Sequence, residues 1–522
     1  MNFNTRGRVF FIVLTVIILM ACCKPNHRFS SEISSDEDQQ YISPNLSTAS
    51  RFASSVLACY IDNEDAIGLT FAASYKGNII LSEGYGWADL EQKTPVNPNT
   101  RFRLASVSKL FMAAAIAKLS EQDMLNLDIP IQTYLPEFPE KQWPITTRQV
   151  AAHISGIRGY QAKDFVKGED IHQRKFTSTT EALTIFSEDP LLFKPGTKYK
   201  YSTYGFTLLT ALVENITKLP YEVYLRQEIL SPLKIHSVVP DRPEQIISHR
   251  SRFYELSEDR IIEHASPIRS DFKFGGGGLL GTSEDLARFG AIHIKPGFFS
   301  SETLDENIFT QQKLANNRSI NVGLAWRFGV DQQFGRVYHH SGALPGGRSI
   351  LMVWPDHELV IALTSNTTNA PYYAEQFAQT MSHLFLTAIS GVKLTSKNTD
   401  LLSKKLSFQG NTENAYHVLD VPSLPCSGSL QTPYHISKEL EKRGYPVPFN
   451  LKVMDSYINQ DDSLSVIIAS DIGLHRLQLN SHDKLNTSGF MVELANKFKW
   501  NVTNHQFNIK ALSTHSEPHI KK

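Results

Sequence analysis

The sequence predicts an α+β fold, and three features of the chain support this prediction. β-leaning runs occupy residues 67–87 and 337–364, mainly helical patterns fill the segment between them, and apolar residues make up 41% of the 522 residues. Strands at both ends of a helical segment favour an arrangement in which the first and last strands share one sheet. The length allows a sizeable core and more than one domain.

The overall composition excludes several classes of protein. Lys and Arg total 52 and Asp and Glu total 52, so the formal charge is zero and the chain lacks the bulk positive charge of a nucleic-acid binder. Four cysteines are too few for a disulfide scaffold, and none has the spacing of a zinc site. We therefore expect no nucleic-acid partner and no bound metal. The sequence leaves open whether Cys59 and Cys426 pair.

The first residues have the pattern of a lipoprotein export signal. Arg6 and Arg8 precede an apolar run from Val9 to Ala21, which is shorter than the roughly 20 residues needed to span a bilayer. The run ends in Leu-Met-Ala-Cys, which resembles a bacterial lipobox and implies cleavage before Cys22 and lipidation of that cysteine. We predict that residues 1–21 are a signal peptide and that the protein is lipid-anchored in the bacterial cell envelope, facing the periplasm. A plain secretory signal and a short anchor are the alternatives.

The rest of the chain divides into three parts. Residues 22–50 are polar and predict a tether that needs no fold of its own. Residues 51–392 contain the strand and helix patterns of the body. Residues 393–522 are more polar, with alternating stretches typical of strands, and predict a smaller β-rich accessory region of unknown role.

The elements of the body follow from apolar spacing and turn residues. Two β-rich runs within residues 67–87 are separated by Lys76-Gly77-Asn78, which predicts a hairpin. Residues 106–122 have apolar side chains at helical spacing and contain no glycine or proline. A second helix start is indicated near Thr146, and residues 203–217 again have helical spacing. An antiparallel meander is predicted at the end of the body, from short runs at residues 337–341, 349–354 and 358–364.

Ser106 and Lys109 are the strongest candidates for a reactive pair. They lie three residues apart at the start of a predicted helix, on one face, so their side chains can meet. A serine hydroxyl becomes a nucleophile when a neighbouring base takes its proton, and the positive end of a helix favours the resulting anion. The spacing alone is weak evidence. It also occurs at Ser231/Lys234, Ser270/Lys273, Ser390/Lys393 and Ser481/Lys484.

Five motifs give the pair a context. They are, in chain order, residues 100–109 (TRFRLASVSK), 146–156 (TTRQVAAHISG), 194–209 (KPGTKYKYSTYGFTLL), 276–289 (GGGLLGTSEDLARF) and 340–342 (HSG). Together they resemble the serine β-lactamase and penicillin-binding-protein family, and within it the class C-type branch that contains the mitochondrial serine β-lactamase-like protein and its bacterial relatives. The resemblance spans about residues 65–390. It implies an antiparallel sheet with a helical subdomain, and hydrolysis through an acyl-enzyme without a cofactor.

The resemblance also implies roles for individual residues. Ser106 would be the nucleophile that forms the acyl-enzyme, and Lys109 would be its proton partner. Tyr201 would act as a general base that later returns the proton to the leaving group, a role that requires a nearby positive charge such as Lys109, because tyrosine has a reference pKa of about 10. The backbone N–H groups of Ser106 and Ala343 would form the oxyanion hole.

Two departures from the family pattern concern the substrate. Thr203 stands where the family usually has an asparagine that holds a substrate amide. His340 stands where the family usually has a lysine, and with a reference pKa of about 6.5 it would be only partly charged at neutral pH. Ser341 and Gly342 would line the cleft edge, and Arg348 is a candidate to strengthen carboxylate binding. These departures predict poor turnover of penicillins.

Some other motifs have simpler interpretations. His153 is expected to bond the backbone of its own loop. The glycines 276, 278 and 281 satisfy a dinucleotide-binding pattern, but without a preceding strand they indicate close packing beside the cleft. His339 and His340 cannot easily share a metal, because adjacent residues of a strand point to opposite faces.

The sequence therefore predicts a lipid-anchored serine hydrolase that acts on amides or esters, with short peptides and peptides of D-amino acids among its substrates. A receptor or scaffold that acylates slowly or not at all is the alternative from a different class. A true β-lactamase is a third interpretation, which Thr203 and His340 disfavour.

Overall fold

The computed structural model describes residues 28–30, 44–62, 66–166, 170–257, 261–331, 334–368 and 374–390, together with seven strands between residues 405 and 512. The strands of the body are β1 (Arg28–Ser30), β2 (Gly68–Tyr75), β3 (Asn78–Asp89), β4 (Thr94–Pro95), β5 (Phe102–Arg103), β6 (Val239–Pro240), β7 (Tyr254–Leu256), β8 (Ile262–His264), β9 (Leu279–Gly281), β10 (Arg327–Asp331), β11 (Gly335–Leu344), β12 (Gly347–Trp354), β13 (Leu359–Ser365) and β14 (Thr367–Thr368).

The helices of the body are α1 (Pro44–Asp62), α2 (Ser108–Glu121), α3 (Thr147–Ala151), α4 (Thr179–Leu183), α5 (Thr203–Thr217), α6 (Tyr221–Leu225), α7 (Phe274–Gly277), α8 (Ser283–Ala291) and α9 (Ala374–Ile389). Short 3-10 turns occur at Ala105–Val107, Ile131–Thr133, Ala162–Phe165, Asp271–Lys273 and Pro355–His357, and π-helical turns at Arg226–Leu230 and Thr303–Ile308. In the part of the chain that the structure describes, no helix combines the length and the apolar character needed to cross a bilayer.

One antiparallel sheet organises the body, in the order β1-β3-β2-β13-β12-β11-β10, with β4 paired to β3. The predicted hairpin is confirmed, since β2 and β3 pair on either side of Lys76 and Gly77. The predicted meander is also confirmed, as β11, β12 and β13 are antiparallel neighbours. Strand β13 pairs with β2, so the first and last runs of the body share one sheet as expected.

Both faces of this sheet are covered. In β13, Leu359, Ile361 and Leu363 belong to one apolar cluster, while the alternating residues Val360 and Ala362 belong to another. This alternation follows from the period of two in a strand, which sends neighbouring side chains to opposite faces. Helices α1 and α9 supply the first cluster, and α2, α5 and α8 supply the second. The second, helical side of the sheet contains the candidate active site.

The N-terminal boundary differs from the prediction. Strand β1 pairs with β3 at the sheet edge, and α1 begins at Pro44, inside the segment expected to be a tether. Along α1 the residues Leu46, Ala49, Ala53 and Leu57 are buried. The expectation that residues 22–50 need no fold of their own is therefore wrong for these two stretches. The reason is a narrow apolar stripe at helical spacing, which polar neighbours conceal in the sequence.

The C-terminal part contributes two small antiparallel sheets. Their strands are β15 (Lys405–Gln409), β16 (Tyr416–Asp420), β17 (Ser429–Gln431), β18 (Asn450–Ile458), β19 (Leu464–Ser470), β20 (Gly473–Leu479) and β21 (Asn508–Leu512). One sheet has the order β16-β15-β21 and the other β17-β18-β19-β20. The β-rich character expected of this region is confirmed. The predicted signal peptide, the predicted lipidation site Cys22, and Cys426 lie outside the described residues.

Candidate active site

The predicted nucleophile lies in a tight turn between β5 and α2. Ser106 is the middle residue of the 3-10 turn, and it remains partly exposed. Ala105, just before it, has a left-handed backbone with φ of 47°, a conformation that costs a residue with a side chain about 1–3 kcal/mol. The hydroxyl of Ser108, the first residue of α2, accepts a hydrogen bond from the backbone of Leu279 at 3.2 Å. These contacts hold the Ser106 hydroxyl at the start of the helix.

Lys109 lies directly behind the nucleophile and is fully buried. Its Nζ is 3.3 Å from the Ser106 hydroxyl and 3.4 Å from the Thr203 hydroxyl, and it also donates to the carbonyl of Gly276. Burial lowers the pKa of Lys109 well below its usual value, and the positive charge of Arg327 lowers it further. Burial thus favours the neutral amine, which at this distance can accept the proton of Ser106.

Tyr201 is positioned by the start of helix α5. Ser202 caps that helix, accepting a hydrogen bond from Gly205 N at 3.0 Å, and its own backbone N–H donates to His153 Nδ1 at 3.2 Å. The imidazole of His153 lies against the phenol ring with the two centroids 4.3 Å apart. Lys109 Nζ is 4.9 Å from the ring centroid of Tyr201, and Ser106 is close enough to the Tyr201 hydroxyl to lower its pKa. The structure thus brings together the three residues expected to carry the reaction.

The pKa of Tyr201 differs from expectation. Burial raises it to about 12, although the Ser106 side chain and the charge of Arg327 act in the opposite direction. The expectation that Lys109 would lower this pKa is wrong, because Lys109 itself is buried and tends to be neutral. At neutral pH Tyr201 is therefore a phenol that can donate a proton, and Lys109 is the better base.

His340 lies on the helical side of the sheet, 6.2 Å from Tyr201 between ring centroids. Its side chain is fully buried, and its Nδ1 is 2.7 Å from the carbonyl oxygen of Ser341. Burial lowers the pKa of His340 well below its usual value, and the charge of Arg327 lowers it further. His340 is thus neutral rather than partly charged, and it cannot replace the cation of a lysine.

The edge of β11 lies against the nucleophile turn. A Cβ atom at Gly342 would collide with the carbonyl oxygen of Leu104 and come within 2.9 Å of Ala105 Cβ, so only glycine allows this approach. Strand β10 covers β11 only as far as the pair Arg327 and His339. Beyond that pair the edge of β11 is open, and Ala343 is exposed there. This placement is compatible with the oxyanion hole that we predict from Ser106 and Ala343.

A second arginine, besides the one predicted, lies beside the site. Arg348, the residue expected to strengthen carboxylate binding, is paired with Ala343 in the sheet. Arg327 has its guanidinium carbon 5.9 Å from the Tyr201 ring centroid and its Nη1 3.4 Å from the Ser341 hydroxyl. No motif marks Arg327 in the sequence. The only indication in the sequence is that Arg327 lies one strand before the HSG triplet.

Tyr160 is a second site residue that the sequence analysis missed. Its hydroxyl is close enough to Thr203, the residue that also contacts Lys109, for that side chain to lower its pKa. Burial of this hydroxyl raises the pKa of Tyr160, although the ring remains partly exposed. The signal was its position shortly after the HISG segment, which the structure places beside Tyr201.

Contacts bear on three simpler interpretations. His153 bonds the backbone, but that of the segment before α5 rather than of its own loop: it accepts from Ser202 N and, through its carbonyl oxygen, from Lys200 N at 2.9 Å. Gly276 packs closely, since a Cβ there would lie 2.9 Å from Thr203 Cγ2. The Ser270/Lys273 pair does not form a second nucleophile, because Lys273 Nζ bonds His172 Nε2 at 3.0 Å. Across the described ranges, no cluster of three metal-ligating side chains occurs.

Comparisons with known proteins agree with this geometry. A family model described as Beta-lactamase matches residues 53–384. The human mitochondrial serine beta-lactamase-like protein LACTB is 29% identical over 384 residues, covering 56% of this chain and 70% of LACTB.

Solved structures show the same fold. D-amino acid amidase from Ochrobactrum anthropi SV3 superposes with a TM-score of 0.55 at 20% identity, covering 65% of this chain and 99% of the amidase. A penicillin-binding protein from Bacillus halodurans superposes with a TM-score of 0.53 at 19% identity, covering 63% of this chain and 98% of that protein. The expected β-lactamase/transpeptidase-like fold is confirmed.

Proposed function

Because the chain belongs to the beta-lactamase family, we propose that it is a serine hydrolase that cleaves amides or esters through an acyl-enzyme at Ser106. The observation that carries this proposal is the buried Lys109 amine, with a lowered pKa, 3.3 Å from a partly exposed serine hydroxyl. A base that is neutral at physiological pH and touches the nucleophile is what activation of serine requires. The amidase among the structural neighbours supports small amides, including those of D-amino acids, as substrates.

The proposed reaction has two halves. In acylation, Lys109 takes the proton of Ser106 while the serine oxygen forms a bond to the substrate carbonyl carbon. The N–H groups of Ser106 and Ala343 stabilise the resulting oxyanion. Tyr201 then gives its proton to the leaving amine or alcohol as the carbonyl–leaving-group bond breaks, and Lys109 returns a proton to the phenolate. In deacylation water replaces the leaving group, and the same proton transfers run in reverse.

The residues around the nucleophile support the prediction that penicillins are poor substrates. His340 is buried and its pKa is lowered, so it supplies no positive charge for the carboxylate of a β-lactam. Thr203 has no amide group, and its hydroxyl is already in contact with Lys109 Nζ at 3.4 Å. Arg327 supplies a positive charge near Tyr201, at a position that the family motifs do not define.

Covalent labelling followed by turnover tests the proposal. A fluorophosphonate probe is expected to label Ser106 in the wild type and to give no adduct in Ser106→Ala, with the site located by peptide mass spectrometry. Ser120→Ala is the matched control, because this serine lies near the other end of α2. Repeated turnover of a D-amino acid amide or a nitrophenyl ester supports the hydrolase. A single equivalent of product followed by a stall supports the sensor or scaffold instead.

We also propose that the protein is a lipid-anchored component of the bacterial envelope. The support is the export pattern of residues 1–21 and the cysteine that follows it. Cys22→Ala, expressed in a bacterial host, is expected to move the protein from the membrane fraction to the soluble periplasmic fraction, because acyl chains contribute about 0.8 kcal/mol per buried methylene. Persistent membrane association of this variant would contradict the lipid anchor. Cys23→Ala is the neighbouring control.

A further inference from the structure

A cluster of exposed aromatic and apolar side chains lies on the loop that packs against the backbone of Tyr201. Tyr160 and Phe165 are each 38% exposed, and Val166 is 51% exposed. The rings of Tyr160 and Phe165 meet edge to face with centroids 5.6 Å apart, and His172 lies 5.3 Å from Phe165. Single apolar residues on a surface are normal, but contiguous ones in a soluble protein are typical of a binding site.

Short contacts connect this cluster to the reacting atoms. The Thr203 side chain is close enough to the Tyr160 hydroxyl to lower its pKa. The Thr203 hydroxyl is also 3.4 Å from Lys109 Nζ, and that amine is 3.3 Å from the Ser106 hydroxyl. The residue before Tyr160 packs on the backbone of Tyr201, since a Cβ at Gly159 would lie 3.0 Å from the Tyr201 carbonyl oxygen. The exposed ring of Tyr160 is therefore a continuation of the catalytic cleft.

A buried ion pair fixes the loop that presents these side chains. Arg158 donates to both carboxylate oxygens of Asp164, at 2.7 and 3.1 Å, and both side chains are almost fully buried. Asp164 also accepts a hydrogen bond from Gln161 N at 2.8 Å. The ion pair thus anchors the loop, and the Tyr160 ring packs edge to face on Tyr204 with centroids 5.1 Å apart. A rigid apolar surface binds a ligand with less loss of conformational entropy than a mobile one.

We propose that Tyr160, Phe165 and Val166 form a subsite for an apolar substituent of the substrate, a hydrocarbon chain or ring attached close to the bond that is cleaved. This inference rests on the proposed function. It narrows the substrates from amides and esters in general to those with such a substituent. The subsite offers ring faces and a branched side chain rather than charge. Its selectivity therefore comes from moving apolar surface of the substrate out of water.

Two ester series test the subsite and show which side of the bond it serves. The first is 4-nitrophenyl acetate, butyrate and hexanoate; the second is methyl, butyl and hexyl acetate. In one series kcat/KM is expected to rise by up to about fourfold per added methylene that the subsite buries. Phe165→Ala and Val166→Thr should flatten that rise and leave the rate on the shortest ester unchanged. Slopes that both variants leave intact in both series would overturn the subsite.

A matched control lies at the far end of α2. Met124 is 43% exposed and is separated from Ser106 by the full helix, about 20 Å at 1.5 Å per residue. Met124→Ala removes a comparable exposed apolar side chain and should keep the dependence on chain length. Val166→Thr conserves shape, so a flattened slope in that variant reports lost apolar contact rather than a disturbed fold.

Binding without turnover separates this inference from the proposed function. Saturation-transfer NMR on Ser106→Ala should detect hexanamide more strongly than acetamide, and the added change Phe165→Ala should abolish the difference. If wild type cleaves no ester but hexanamide binds through Phe165, the hydrolase proposal fails and the subsite stands. If esters are cleaved without preference and hexanamide does not bind, the subsite fails and the hydrolase stands.

Discussion

At the scale of single residues, burial decides which group does which chemistry. Lys109 and Tyr201 are both ionisable, and both lose contact with water, which disfavours their charged forms. The same cause therefore lowers the pKa of the lysine and raises that of the tyrosine to about 12. The result is a neutral base and a neutral acid on either side of one serine hydroxyl, which is the pairing that proton transfer in both directions needs.

The role of Tyr201 can be tested by removing its hydroxyl. Tyr201→Phe should leave folding and KM nearly unchanged and lower kcat by about 10²- to 10⁴-fold, the usual contribution of a general acid or base. Steady-state kinetics on a 4-nitrophenyl ester and on an amide measure this effect. The loss should be larger for the amide, because an amine leaves only when protonated. Wild-type rates on both substrates would remove Tyr201 from the mechanism.

The burial of Lys273 should make the free energy of unfolding depend on pH. It is buried beside His172, and burial lowers its pKa from 10.5 to about 7. Between these two values the unfolded chain holds a proton that the folded protein does not, so folding becomes less favourable as the pH falls from 10.5 towards 7. The free energy of unfolding of Lys273→Met, relative to that of wild type, should therefore increase as the pH falls over that interval. Urea unfolding at pH 7, 8.5 and 10 measures this difference.

The exposed Lys313→Met is the control for this experiment, because its side chain is at the surface. Its difference from wild type should not change between pH 7 and 10. A Lys273→Met curve that runs parallel to wild type over the same interval would show that the buried amine carries no such cost.

At the scale of elements, the site depends on the contact between strand β11 and the turn before α2. The turn and the strand come from distant parts of the chain, and they touch where Gly342 has no side chain. The hydroxyl of Ser349, on the next strand, donates to the carbonyl of Leu104 and joins the same two elements. The geometry of Ser106 is thus set by the sheet as much as by its own helix.

A methyl group at this contact should separate the two elements. Gly342→Ala is expected to destabilise the fold by about 1–3 kcal/mol, as overpacking usually does, and to abolish labelling of Ser106. Gly277→Ala is the matched control, because its added Cβ would lie an ordinary 3.6 Å from Ala105. Denaturant unfolding and probe labelling measure both variants. Normal labelling of Gly342→Ala would show that the turn does not need this contact.

At the scale of the whole molecule, segments from both ends of the body complete one core. Helix α1 precedes the first long strand and α9 follows the last one, and both cover the same face of the sheet. Helices from the middle of the chain cover the opposite face and support the active site. The sheet that supports the catalytic side is therefore covered on its other face by α1 and α9, the helices at the two ends of the body.

This arrangement predicts that α1 is essential to the fold. Leu57 is fully buried, so Leu57→Ala should lower the free energy of unfolding by about 2–5 kcal/mol. Leu192→Ala, at a residue that is 50% exposed, should change it by no more than about 0.5 kcal/mol. Urea unfolding compares the two variants. Equal effects would mean that α1 is not part of the cooperative core.

The sequence determined much of this protein by itself. Local periodicity and turn residues sufficed for the hairpin, the helices that begin at Ser108 and Thr203, and the closing meander, because neighbouring residues decide these elements. The five motifs identified the family and pointed to Ser106, Lys109 and Tyr201, because chemistry fixes residue types at fixed spacing.

The tertiary structure alone decided the protonation states and the outer parts of the site. The neutral state of His340 and the raised pKa of Tyr201 come from burial, which depends on chain segments far apart in the sequence. Arg327 and Tyr160 reach the site only because a strand pairing and a tied loop bring them there. The physical reason is that solvent exclusion and long-range contacts are properties of the packed molecule, whereas periodicity and motifs are properties of the chain.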